Sequence, residues 1–109
     1  MHRKLAIAER VYRSGETPVL TLRFYLPYSD APGTYKCEYE LSGAINKSIA
    51  VAGIDAISAI DNAFWMAGSE LDGLNESQFD GKLRWDGADD DRPIGLPVIR
   101  GSKVPFKNY

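Results

Sequence analysis

The chain has 109 residues, 44% of them hydrophobic, with a formal charge of −2 and a single cysteine, Cys37. That length fits one compact domain with one core and excludes two. No apolar run approaches the roughly 18 residues that a bilayer span needs, and the start, MHRKLAIAERVYRSGE, turns charged too soon for a signal peptide, so a soluble, cytoplasmic protein with no membrane partner is expected.

In chain order, residues 5–13 are rich enough in β formers to make a first strand, and 14–18 read as its turn. Residues 19–26, VLTLRFYL, alternate cleanly: Leu20, Leu22, Phe24 and Leu26 share an inward face, and Val19, Thr21, Arg23 and Tyr25 the other. Two prolines, a serine, an aspartate and a glycine make 27–33 a loop. Residues 34–41, TYKCEYEL, alternate again, with Tyr35, Cys37, Tyr39 and Leu41 inward and Lys36, Glu38 and Glu40 outward. Short connections make these three strands an antiparallel meander, and ion pairs across its polar face are expected at about 0.2–1 kcal/mol each.

A linker over 42–53, with an extended piece at 48–52, leads to a helix that starts near Ile54 or Asp55, where an aspartate complements the helix dipole. At 100° per residue, Ala56, Ile60, Ala63, Phe64, Ala67, Leu71 and Leu74 fall in one arc that packs on the sheet, with Ile57 at its edge. Ser58, Asp61, Trp65, Ser69 and Asp72 fall opposite, so Trp65 is expected on the wet face. Gly73 is expected to end the helix in a left-handed conformation. After it come a loop over 75–81, a short strand over 82–85 in which Trp85 shares the core side of Leu83, and an acidic, turn-rich stretch over 86–97. Residues 98–109 read as a basic tail or edge strand outside a single domain over 1–97.

Charge is uneven: +3 over residues 1–24, −7 over 25–80 and +2 over 81–109. A nucleic-acid partner is not expected, because such binders carry a basic face interleaved with aromatics, whereas the acidic middle here suits a basic protein partner.

Catalytic groups are sparse. His2 is the lone histidine and sits at the terminus, so a Ser–His–Asp or Cys–His arrangement lacks a held base, and Cys37 reads as a small buried hydrophobe. The run DGADDD offers Asp86, Asp89, Asp90 and Asp91 as oxygen donors, but it lacks the spacing and closing glutamate of a calcium loop, so it reads as a solvated turn. The scattered glycines form no phosphate cradle. No cofactor, metal or catalytic residue is therefore assigned.

Trp65 is the feature that points to a partner, because tryptophan dominates interface energies, and an acidic rim would speed encounter with a basic surface. The candidate partner-binding residues are Trp65, Asp61, Asp72, Glu76 and Ser69. A loop of the same chain, a second copy or another protein could each cover the indole.

The segments IAERVY, PVLTLRFYLPYSDAPGTYKCEYELSG, AGIDAISAIDNAFWMAGSEL, GKLRW and IGLP resemble a family of small uncharacterised bacterial proteins known as a domain of unknown function. The resemblance spans residues 5–97 and is carried by Pro27, Asp30, Gly33, Tyr35, Cys37, Tyr39 and Gly43 and by GIDAISAI. Asp61 and Asn62 stand where the family is more apolar, and the tail after Pro97 is an addition. The family implies a fold and no activity.

The expected fold is thus α+β: an antiparallel β-meander with one long helix packed on one face and a short returning strand. The expected function is a non-catalytic protein-binding module, with an immunity protein that neutralises a basic bacterial toxin domain as its specific form. The alternatives are a homodimeric structural module and, further off, a carboxylate or divalent-metal enzyme.

Overall fold

A computed structural model describes residues 4–89 and 92–98. Its elements in chain order are β1 (Ala6–Ser14), β2 (Thr17–Tyr25), β3 (Tyr28–Ala31), β4 (Thr34–Gly43), β5 (Lys47–Gly53), α1 (Ala56–Ser77) and β6 (Leu83–Arg84). One antiparallel sheet runs β3-β4-β2-β1-β6, with β5 also paired to β4. Both β2 and β3 pair with β4, β2 at residues 39–43 and β3 at 34–36, so they form one long strand interrupted at 26–27. The fold is α+β, a curled antiparallel sheet with one long helix on one face and a short strand returning to β1.

The alternating residues do what their period dictates. Leu20, Leu22, Phe24, Cys37, Tyr39 and Leu41 are all buried. Leu26, expected inward, is instead 50% exposed: it lies in the break before Pro27, where its N–H bonds Leu5 O at 2.8 Å and the alternation of β2 has lapsed. The stretch expected as pure loop contains β3. On the polar face, Glu9, Arg23 and Glu40 stand in one cross-strand row. Arg23 Nε donates to Glu9 Oε2 at 2.7 Å, Arg23 reaches Glu40 Oε1 at 3.4 Å, and Lys4 pairs with Glu38 at 2.9 Å.

Asp55 caps α1: its carboxylate accepts from Ser58 N at 2.7 Å while Ser58 Oγ accepts from Asp55 N at 3.2 Å, a reciprocal capping box. Gly73 does not end the helix. It has no positive φ, and α1 runs on to Ser77, where Gln78 N–H closes on Leu74 O at 2.8 Å. The left-handed residues that turn the chain are Asp80 (φ 52°) and Gly81 (φ 73°). Asn75 and Ser77, expected in a loop, are therefore helical, and Asn75 Oδ1 accepts from Leu83 N at 2.8 Å, tying the helix end to β6.

Ala59, Ala63, Ala67 and Leu71, four apart, form the buried ridge of α1, all at 0% exposure. Alanines let the helix approach the sheet closely, and the bulk comes from Leu22, Phe24, Tyr39 and Leu41 opposite. The helix packs on β4 and β5. Glu70 fastens it there, accepting from Tyr39 Oη at 2.6 Å and pairing with Lys47. Ile57, placed at the edge of the packing arc by the wheel, is 79% exposed in the first turn of α1. Residues 99–109, most of the expected tail, lie outside the described residues. No helix among the described residues is long and apolar enough to cross a membrane.

Candidate functional site

The five residues singled out for partner binding do share one side of α1: Asp61, Trp65, Ser69, Asp72 and Glu76 lie within about 80° at 100° per residue. Their exposure differs from expectation. Trp65 is only 7% exposed and Asp72 9%, Asp61 and Ser69 are half-buried, and of the five only Glu76 is exposed. The stripe of α1 that meets water passes instead through Met66, Gly73 and Ser77.

α1 is also met from far along the chain. Gly68, one turn after Trp65, sits where a Cβ would fall 2.0 Å from Pro97 O and 3.0 Å from Leu96 Cβ. The segment over 92–98 therefore crosses the helix at a position only glycine allows. Leu96 joins Phe64, Leu22 and Phe24 around a small cleft, and Ile94 is buried in the core.

The same segment is seated on β1 by side chains. Tyr12 Oη donates to Ile94 O at 2.6 Å, and Arg10 donates to Ile94 O at 3.3 Å and Gly95 O at 3.0 Å. Burial pushes the Tyr12 phenol above its ordinary range, partly offset by Arg10, so it remains a donor at neutral pH. β6 places Trp85 beside these groups, and the Arg10 guanidinium lies 3.8 Å from the centre of its ring. Gly87 and Gly95 close on the indole so tightly that a Cβ on either would come within 2.5 Å of it. Gly95 also holds φ +69°, a second reason for glycine.

Trp85 was expected as a core residue beside Leu83. It is half-buried, stacked under Arg10, and its Nε1–H is buried with no acceptor. A buried donor without a partner costs about 1–3 kcal/mol. The Ile94 carbonyl already accepts from both Tyr12 and Arg10, and the Gly95 carbonyl from Arg10. Beside the indole is a concavity of about 760 Å³, lined by Trp85, Asp89, Arg92, Ile94, Leu96 and Val98 among others.

A family model described as a domain of unknown function, DUF6968, matches residues 1–98. The chain belongs to DUF6968. No curated protein and no solved structure matches it. The DUF6968 match takes in the helix, Trp85 and the whole covering segment, so all three belong to one domain architecture.

Elsewhere in this DUF6968 domain, reactive side chains are sequestered. Burial pushes the Cys37 thiol from its ordinary 9.0 to about 11, which keeps it protonated at neutral pH. Burial, and then the hydrogen bond to Glu70, push the Tyr39 phenol up as well. Among the described residues no group of three His, Cys, Asp or Glu is placed to hold a metal ion. Asp86 faces Arg13 at 3.4 Å, and Asp90 and Asp91 of the acidic run lie outside the described residues.

Sequence reasoning missed the role of Arg10, Tyr12, Gly68 and Gly95. Only the two glycines left a signal: one inside a helix and one between Ile94 and Leu96, each marking a close approach that a side chain would block.

Proposed function

We propose that this DUF6968 domain is a non-catalytic protein-binding module, and that its specific form is an immunity protein that covers a basic toxin domain. One observation supports the reading: α1 carries Trp65 and the carboxylates of Asp61, Asp72 and Glu76 on one side, and among the described residues the segment that meets this helix at Gly68 contains no helix or strand. The carboxylates of Asp61, Asp72 and Glu76 have the sign that suits a basic surface. The test is binding to a toxin-type domain encoded by a neighbouring gene, measured by calorimetry and by rescue of growth on co-expression. Binding that weakens about tenfold or more in the double variant Asp61→Lys, Glu76→Lys, with an unchanged melting curve, is expected. Absence of binding and of rescue would overturn the reading.

A second reading, self-association, is favoured by Ile54 and Ile57, which are 81% and 79% exposed three residues apart. Sedimentation velocity at several concentrations decides it: a strict monomer removes it, and a dimer dissolved by Ile57→Asp supports it.

A further inference from the structure

We infer that β5 is a strand-pairing edge, and that a second copy of this chain pairs with it antiparallel about a two-fold axis at Ala50, joining two sheets into one. The inference rests on the self-association reading above and names its interface.

The phase of the ladder shows what the edge offers. Ala44 N–H donates to Val19 O at 2.8 Å, and the same register continues through Ser42 with Thr21 and Glu40 with Arg23. Bonded and non-bonded pairs alternate in an antiparallel ladder, so β4 turns the main-chain groups of Ser42 and Glu40 to β2 and those of Cys37, Tyr39 and Leu41 to β5. Val51, Ile49 and Lys47 stand against these three, which leaves the N–H and C=O of Ser48, Ala50 and Ala52 pointing away from β4. All three residues are exposed. Among the described residues only the Asn62 amide reaches these main-chain groups, donating to Ala52 O at 3.0 Å.

This edge lacks the devices that keep strand edges apart. Its ladder with β4 has no bulge, and β5 has no proline and no charge beyond Lys47, which is paired with Glu70. The other outer strands differ. β1 is irregular at two places and carries Glu9, Arg10 and Arg13, while β3 is four residues long, irregular, and carries Asp30.

The occupant follows from self-complementarity. With Ala50 on the axis, it faces its own copy and exchanges two hydrogen bonds with it, while Ser48 faces Ala52 and Lys47 faces Gly53 of the second copy. Every outward N–H and C=O then lies in a bonded pair. Ile49 faces Val51 on both sides of the axis, in the non-bonded pairs where side chains come closest, and on the face covered by α1. The two copies of Lys47 fall about 20 Å apart along the strands, so no like charges oppose.

The helix fits the same placement. Asn62 reaches one end of β5 and Glu70 the other, and Met66, four residues from each, is 47% exposed between them. Because α1 lies over β4 and β5, edge pairing sets the two helices about two strand spacings apart, about 10 Å, the distance at which helices pack. Met66 then meets its copy across the axis, with an unbranched side chain that adapts to the gap. An extended peptide on β5 would gain the hydrogen bonds but not this helix contact, so the second copy is the better fit.

Sedimentation velocity at several concentrations should show a reversible dimer of the wild-type chain. Ala50→Pro removes the N–H at the axis without touching the ladder to β4, and should raise the dissociation constant about tenfold or more with the folded circular dichroism spectrum retained. Met66→Lys, on the exposed stripe of α1, opposes two ammonium groups at the axis and should weaken the dimer likewise, which keeps the test standing if the proline variant does not fold. Cross-linking reads the register. On mild oxidation Ala50→Cys should give a disulfide-linked dimer, and Ser48→Cys should not, since its two copies lie about 14 Å apart along the strands. Cys37 is buried and does not compete. A strict monomer overturns this inference and the self-association reading together. A dimer that keeps its affinity in Met66→Lys, or that cross-links no faster through Ala50→Cys than through Ser48→Cys, overturns this interface and leaves self-association standing.

Discussion

The sheet's inner face is covered in two different ways. Over β4 and β5 lies α1, which satisfies its own backbone, brings a ridge of three alanines and Leu71, and is fastened by Glu70 to two strands. Beside β1 lies the segment over 92–98, a strap that brings Ile94 and Leu96 and takes hydrogen bonds from Arg10 and Tyr12. The helix side closes with its polar groups paired, while the strap side closes with the Trp85 N–H stranded. Regular structure makes a cover that is cooperative with the core; a side-chain-pinned segment makes one that can come away without the core.

That comparison can be broken most forcefully from the helix side. Leu71→Ala removes a fully buried side chain from the ridge and should cost about 2–5 kcal/mol, read as a lower urea midpoint with an unchanged slope. A loss under half a unit would mean the helix is not integral to the core. On the strap side, Gly95→Ala drives a Cβ to 2.5 Å from Trp85 Nε1 at a positive φ and should cost about 1–3 kcal/mol, with the change in chemical shifts confined to the strap, Trp85 and Arg10. Shifts spread through α1 would show that the two covers are coupled. Tyr12→Phe removes one of the pins and should cost about 0.5–1.5 kcal/mol while speeding exchange in the strap and leaving α1 untouched. Smallest is Arg23→Ala, on the far face from both covers, expected at about 0.2–1 kcal/mol and vanishing at high salt.

How much of this was legible in the sequence follows the range of the interactions. β2 and β4 were readable because their alternation is local, and it put Arg23 and Glu40 on one polar face, while Glu9 joined their row only through the pairing of β1. The start of α1 was near enough, since Asp55 caps within its own turn. Its end was misplaced because a glycine in a helix and a glycine at a cap look alike, and the left-handed pair came later, at Asp80 and Gly81. The helical wheel grouped Trp65 correctly with Asp61 and Asp72 but misjudged what lay over them. Nothing periodic in residues 92–98 says that they return to cross Gly68, a contact between residues some thirty apart in the chain. The wheel reports which residues share a side; only tertiary contacts report whether that side is wet.

The most direct measurement isolates Trp65. In the single-tryptophan variant Trp85→Phe, fluorescence comes from Trp65 alone, and its quenching by acrylamide reports whether the chain itself covers the indole. Blue-shifted emission, with quenching several-fold weaker than that of a free indole, is the predicted result. Solvent-like emission, quenched as readily as a free indole in the isolated protein, would contradict the cover and return Trp65 to the surface.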